Sequence, residues 1–367
     1  MTLRQIGVEE ELMLVDPDTL ALAAVAHHAL RADERDGVEK ELFLQQIETS
    51  TEPARTADDL ARIVRAGRRE VGEAAAAAGV RAVALGLPVL ADDGADVTPD
   101  DRYRRIRAEY GELADQALAC AMHVHVEVDD AEEAVAVTDR LRPWLPVLLA
   151  LSANSPYWRG RDTAHASWRS QIWTRWPTGG PSDPFGDPAG YRASIERLQS
   201  WGAALDPGML YLDVRPAERY PTVEIRVADV CLEAEDAVLL GLLCRGLVET
   251  AARAWHAGEP VDPWRVDELR AMSWRAARHG LAGPLVHPAT RELTPTRPVV
   301  SALLAHVRPA LADTGDEVLV ADLFEQLVAR GNGAVRQRAV HEATGDLTRV
   351  VADLADHTEA GWRRDAV

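Results

Sequence analysis

The chain is poor in cysteine, lysine and long apolar runs. Its three cysteines, Cys120, Cys231 and Cys244, show no CxxC spacing, and an odd number makes a poor disulfide framework. They read as buried, reduced thiols. No stretch approaches the ~20 apolar residues that span a bilayer, and the N-terminus enters a strand pattern almost at once instead of a basic segment followed by an apolar one. A cytoplasmic protein without membrane association is expected. Lys40 is the one lysine, so the remaining cationic side chains are arginines. A net charge of −19 opposes broad binding to nucleic-acid phosphates but leaves room for a local cationic pocket. Neither GxxxxGK(S/T) nor GxGxxG occurs, so a nucleotide site has to be of another type.

With 47% hydrophobic residues among 367, the chain can bury a substantial core. Four stretches, 7–15, 121–128, 210–215 and 223–227, read as strands with charge on one face and aliphatics on the other. In the first, Glu9 and Glu11 share a side, whereas Glu10 points with the aliphatics and needs its own partner. His123, His125 and Glu127 share a face of the second, opposite Val124, Val126 and Val128. Asp213 with Arg215, and Glu224 with Arg226, repeat the alternation. Several such strands together suggest a shared polar cleft rather than a solvated sheet face.

Residues 56–78 read as a helix with Ala57, Leu60, Val64 and Val71 on its apolar side, and Gly79 fits its C-terminal cap. A buried strand over 80–90 should follow. Further helices are expected at 99–118 and 141–153, and a loop at 179–190. From Leu232 the pattern is helical almost to the end, including 236–254, 298–311 and 316–329. The fold class is α+β, read as one catalytic domain over 1–367. A mostly antiparallel sheet occupies 1–231, and the helical 232–367 packs on it.

Glu9 and Glu11 are like charges held close, which costs energy unless a cation, a proton or arginines offset it. Oxygen ligands suit Mg2+, and exposed edge charge is the alternative. Glu41 and Glu48 would share a helical face with Gln45, but 43–49 also reads as a strand, and either conformation can deliver Glu48 to the cleft. His123 and His125 suit imidazole ligation or hydrogen bonding within a polar sheet face. Arg226 can pair with Glu224 or reach a phosphate or carboxylate. The run Arg330-Gly-Asn-Gly-Ala-Val-Arg336-Gln-Arg338 offers a turn able to bind phosphate through its backbone, or a helix cap with exposed arginines. The Trp- and Arg-rich stretch 155–176 suits a wall recognising a small carboxylate, or Trp packing on the sheet.

GVEEELMLVD at 7–16, ELFLQQIE at 41–48, HVHV at 123–126, LLALSANSPYWRGRDTAHASWR at 148–169, TVEIRVAD at 222–229 and RGNGAVRQR at 330–338 together resemble the carboxylate-amine ligase family, also called glutamate–cysteine ligase type 2. The motifs run in order over nearly the whole chain. The resemblance implies a glutamine-synthetase-like fold, a curved antiparallel sheet forming a funnel with flanking helices that holds ATP and Mg2+. It implies Glu9, Glu11, Glu48, His123 and Glu224 as metal ligands, with Glu41 a further candidate. Arg226, Arg336 and Arg338, with Asn332 in the same turn, would contact the nucleotide. Arg169 would meet the substrate carboxylate, and Arg226, Arg169 and His125 are the catalytic candidates.

The implied activity is ATP-dependent amide formation through an acyl phosphate, from small-molecule amino-acid carboxylate and amine substrates, with glutamate–cysteine ligation as a weak or incidental activity. The alternatives are a Zn2+ amidohydrolase built on His123 and His125, and a catalytically silent nucleotide-binding homologue. The apolar C-terminal helices would permit a homodimer. Two positions depart from the family pattern. Leu85-Gly-Leu-Pro88 lacks a histidine, and Glu127 follows HVHV where glycine is common.

Overall fold

The computed structural model describes residues 3–32, 38–92 and 94–363. Its centre is a 7-stranded sheet in the order β2-β3-β1-β5-β9-β8, with β4 pairing with β1 off this path. The strands are β1 (Ile6–Val15), β2 (Val38–Lys40), β3 (Gln46–Ser50), β4 (Arg81–Val83), β5 (Ala121–Glu127), β8 (Val214–Pro216) and β9 (Thr222–Asp229). Every pairing is antiparallel. The remaining strands form two short hairpins, β6 (Tyr157–Trp158) with β7 (Arg161–Asp162), and β10 (Leu285–Val286) with β11 (Leu293–Thr294).

The aliphatic face of the sheet is covered by two long helices. Helix Ala57–Ala77 starts where Thr56 accepts a hydrogen bond from the Asp59 amide at 3.1 Å, and it buries Leu60, Val64 and Val71 as its period requires. Helix Ala234–His256 lies beside it. Ile6, Val8, Met122, Val124, Val126 and Ile225 from the sheet share one core with Leu60, Val64, Leu239, Leu242 and Leu247. That core extends to Val299, Leu303, Val307 and Leu327 of the C-terminal helices Thr296–Thr314 and Glu317–Arg330. No helix among the described residues is long and apolar enough to cross a membrane.

Three expected elements are shorter than their patterns suggest. Only Arg81–Val83 of the 80–90 stretch is strand, because beyond it the chain turns away. There the Gly86 amide donates to the Asn154 carbonyl, the Gly86 carbonyl accepts from Cys120, and Pro88 has no amide for a ladder. The helix expected at 99–118 divides into Asp101–Tyr110 and Glu112–Asp115 at Gly111, whose φ of 53° stops the first. The strand expected at 210–215 begins only at Val214, because Pro207–Met209 forms a 3-10 turn just before it.

Glu10 finds the partner its orientation demands. Arg68, fully buried on helix Ala57–Ala77, meets it through two hydrogen bonds of 2.8 and 2.6 Å and also donates to the Cys231 and Leu232 carbonyls. Removing one partner strands a buried charge, so Arg68→Met is expected to lower unfolding free energy by about 3–5 kcal/mol in denaturant titration. The double variant Arg68→Met with Glu10→Leu should recover much of that loss. Equal loss in both would contradict the pairing.

Candidate active site

Antiparallel register brings the charged residues of separate strands into one row. Glu9 of β1 lies opposite His123 of β5, and Glu11 lies opposite Glu48 of β3. His125 lies opposite Glu224 of β9, and Glu224 in turn opposite Arg215 of β8. The register between β5 and β9 shifts between Met122 and Val124, around His123. Irregularities of this kind re-aim side chains and cluster beside active sites.

Glu9 is the hub. Its Oε2 is 3.1 Å from His123 Nδ1 and its Oε1 is 3.3 Å from His125 Nε2. Thr222 Oγ1, 2.9 Å from His125 Nδ1, orients the second ring. Glu224 is held by Arg215 at 2.7 Å and by Arg226. Two groups of ligand atoms follow, Glu9 with Glu48 and His123, and Glu9 with His125 and Glu224, each within 4.8 Å of one another.

Protonation reflects how each acid is offset. Burial would raise the Glu9 carboxyl, but the hydrogen bond to His123 and the close His125 imidazole outweigh burial and hold it well below the usual range. Glu224 is likewise depressed, since Arg226 and Arg215 override burial. Glu11 is pushed up to about 8 by burial and by the nearby Glu41 charge. Burial and the Glu41 charge also lift Glu48 well above the ordinary value. Burial, with Arg226 close by, lowers His123 to about 4, so the imidazole is neutral and able to act as a ligand.

The arrangement fits a divalent cation. Carboxylate oxygens and neutral imidazole nitrogen are its donors, and His125 Nε2 is buried without a hydrogen bond of good geometry. A cation would also relieve the crowding that favours protons on Glu11 and Glu48.

This row forms the floor of a cleft of about 1150 Å3, above the range of roughly 300–1000 Å3 common for one small-molecule ligand. Phe43, Tyr103, Ile106, Trp173 and Tyr211 line one part of it, and Glu127, Glu218, Arg219 and Tyr220 also border it. Glu9, Glu11, Glu41, Glu48, His123, His125, Glu224 and Arg226 all line the cleft. Glu41 reaches it from a loop rather than a helix, and Glu48 from a strand.

Four expected site residues lie elsewhere. Arg169 is buried, with contacts of 3.3–3.5 Å to the Arg226 and Val227 carbonyls and to Asp229. Asp229 also accepts from the Asn154 amide and from the Ser155 and Ser167 hydroxyls, so Arg169 belongs to a buried network. Arg336 is held bidentately by Asp353 at 2.6 and 2.7 Å, and Arg338 by Asp162 at 2.7 and 2.9 Å. Asn332 caps helix Gly333–Thr344 by accepting from the Val335 amide, and its own amide group donates to the Ala150 and Leu151 carbonyls. A Cβ on Gly333 would lie 1.9 Å from Asn154 Oδ1, so glycine is needed for close approach. The turn thus follows the helix-cap reading.

In the 155–176 stretch, Trp158 and Trp168 pack with Leu87, Ala119 and Ile172, and Trp173 lines the cleft. Leu87, at the position lacking a histidine, is therefore core. Glu127 accepts from the Gln5 amide at 2.9 Å and lies 3.8 Å from Arg55. Asp213 leaves the sheet pattern, and burial pushes its carboxyl up to about 7. Sequence reasoning did not single out Arg102, Tyr103, Tyr211 or Thr222 for the cleft. Arg215 carried a signal in its alternation with Asp213, whereas Arg102 is one of several arginines on its helix.

Residues 5–353 match the sequence profile of Glutamate-cysteine ligase family 2(GCS2). The chain belongs to this family. It is 48% identical to a provisionally named glutamate–cysteine ligase 2-1 of Nocardioides sp., over 98% of this chain and 97% of that protein. It is 46% identical to a provisionally named glutamate–cysteine ligase 2 of Streptomyces coelicolor, over 98% of this chain and 100% of that one. The fold is similar to a bifunctional glutathione synthetase from Pasteurella multocida (TM-score 0.67, 16% identity, 99% of this chain), of which the chain spans 53%. It also resembles a Francisella tularensis glutamate–cysteine ligase solved with AMP (TM-score 0.60, 13% identity, 100% of this chain and 94% of that one). The glutamine-synthetase-like ligase fold is thereby shown, and this GCS2 member is an ATP-dependent carboxylate–amine ligase.

Arg169→Lys separates the buried-network role from substrate contact. It is expected to lower stability by about 1–3 kcal/mol, through weaker bonding to buried acceptors, while KM for each substrate is unchanged. A selective rise in one KM with stability intact would return Arg169 to the substrate.

Proposed function

We propose that this ligase joins the γ-carboxylate of glutamate to an amine such as that of cysteine, using Mg2+ and ATP. The observation that carries the reading is the convergence of Glu9, Glu48, His123, His125 and Glu224 on one sheet face, with Arg226 beside them. The names of the relatives support glutamate and cysteine as the pair.

Chemically, the substrate carboxylate attacks the γ-phosphorus of ATP, giving an acyl phosphate and ADP. The amine then adds to the activated carbonyl, phosphate leaves, and an amide remains. Glu9, Glu48 and His123 would hold one divalent cation, Glu9, His125 and Glu224 a second, and these ions would supply the charge that lets two anions approach. Glu9 suits the shared position because each of its oxygens faces a different imidazole. Arg226 keeps its charge beside Glu224 and lines the cleft, so it can screen phosphoryl oxygens as charge develops there. Thr222 fixes the His125 ring so that Nε2 faces Glu9. No protein nucleophile is required. Cys120, Cys231 and Cys244 are buried, and burial pushes all three thiols up, away from reactive thiolate.

Purified protein with Mg2+, ATP and glutamate is expected to release ADP on addition of an amine, and mass spectrometry should show the new amide. Cysteine is the first amine to supply, followed by a panel of others. Absence of ADP release with every carboxylate and amine pair would contradict the proposal.

A further inference from the structure

The cleft holds four guanidinium groups among its lining residues, and they are not equivalent. Arg215 is committed to Glu224 and to the Leu210 and Pro207 carbonyls, and Arg226 also pairs with Glu224. Arg219 is exposed on the loop between β8 and β9, and no hydrogen bond or ion pair among the described residues holds it in place. Arg102 differs from all three. It stands in the first turn of helix Asp101–Tyr110, and Asp206 grips its Nε and Nη2 at 2.8 and 3.0 Å. Its Nη1 makes no hydrogen bond among the described residues, and its side chain stays 37% exposed. A guanidinium fixed on one edge and free on the other is pre-organised for a second planar anion.

Its surroundings define which anion. Tyr103 and Tyr211 border the cleft with Arg102 and feel its charge, and Glu41 acts on both tyrosines. Both rings are thus within electrostatic reach of Arg102 and of Glu41 in the same cleft. An ion pair tying the helix to the turn Pro207–Met209 would need neither the cleft position nor the free nitrogen, and pairs this exposed contribute little to stability.

Resting on the ligase reading above, we infer that Arg102, positioned by Asp206, anchors the non-reacting carboxylate of an amino-acid substrate. That carboxylate belongs either to the acid being activated or to the incoming amine, and the recognition chemistry is the same.

Calorimetric binding with Mg2+ and a non-hydrolysable ATP analogue tests this without turnover. Glutamate is compared with 4-aminobutanoate, which lacks the α-carboxylate, and cysteine with cysteamine. The wild-type protein should prefer the carboxylate-bearing member of one pair, and Arg102→Gln should weaken that ligand alone, by about tenfold to a hundredfold. The pair affected identifies the source. Arg102→Lys, which keeps the charge but not the planar fork, should recover part of the affinity and guards against a folding defect. Preference retained in Arg102→Gln, equal loss on both members, or no wild-type preference in either pair would overturn the inference. These outcomes do not depend on the ADP-release assay, whose failure would instead strike the choice of reaction.

Discussion

Carboxylates packed side by side on a buried sheet face repel one another, and the rest of this structure is organised around offsetting that repulsion. The antiparallel register of β1, β3, β5 and β9 makes the crowding unavoidable, because it sets Glu11 against Glu48 and places Glu9 and Glu224 on the two strands that flank β5 and its histidines. Each acid is compensated differently. Glu224 has two arginines, Glu9 has two imidazoles, and Glu11 and Glu48 are pushed towards protonation. Glu10, one residue from the hub but on the opposite face, has Arg68. The row is therefore balanced without being saturated: a bound cation would displace a proton at Glu48 and share Glu9 and Glu224 with the imidazoles and arginines that already offset them.

Much of this was legible from side-chain alternation. A period of two divides β1, β5 and β9 into a charged and an aliphatic face, with Glu10 and Asp229 as acids in the aliphatic phase, and a period near 3.6 defines helix Ala57–Ala77. The need of Glu10 for a partner could be read the same way, although Arg68, 58 residues away, could not be picked out among so many arginines. What the alternation did not reveal was set by local backbone chemistry or by contacts distant in sequence. Gly111 broke a helix that composition favoured, and a proline-led turn shortened β8. Arg169, Arg336 and Arg338 lie in motifs of the family, but their nearest acids are Asp229, Asp353 and Asp162, brought in by the fold. Arg102 was passed over because what distinguishes it, the grip of Asp206 from 104 residues away, has no sequence signature.

The same logic links site and scaffold. The aliphatic faces of β1, β5 and β9 share one core with helices Ala57–Ala77 and Ala234–His256, and Ile47 of β3 packs in a second cluster with Leu12, Leu14 and Val71, so the positions of the ligands rest on packing rather than on loops. Asp229, at the end of β9, accepts from the Asn154 amide, and Gln337 donates to the Asn154 carbonyl and side-chain oxygen, so Asn154 ties the sheet to helix Gly333–Thr344. Precision of this kind suits phosphoryl transfer, in which placement and charge do most of the work.

The central claim is that Glu9 is shared between two cation positions. Electron paramagnetic resonance of bound Mn2+, titrated with a non-hydrolysable ATP analogue present, tests it most directly. The account predicts two Mn2+ ions per chain close enough to couple magnetically, with Glu9→Ala abolishing the coupling and weakening both. A single uncoupled ion, or a Glu9→Ala variant that still binds a coupled pair, would contradict it.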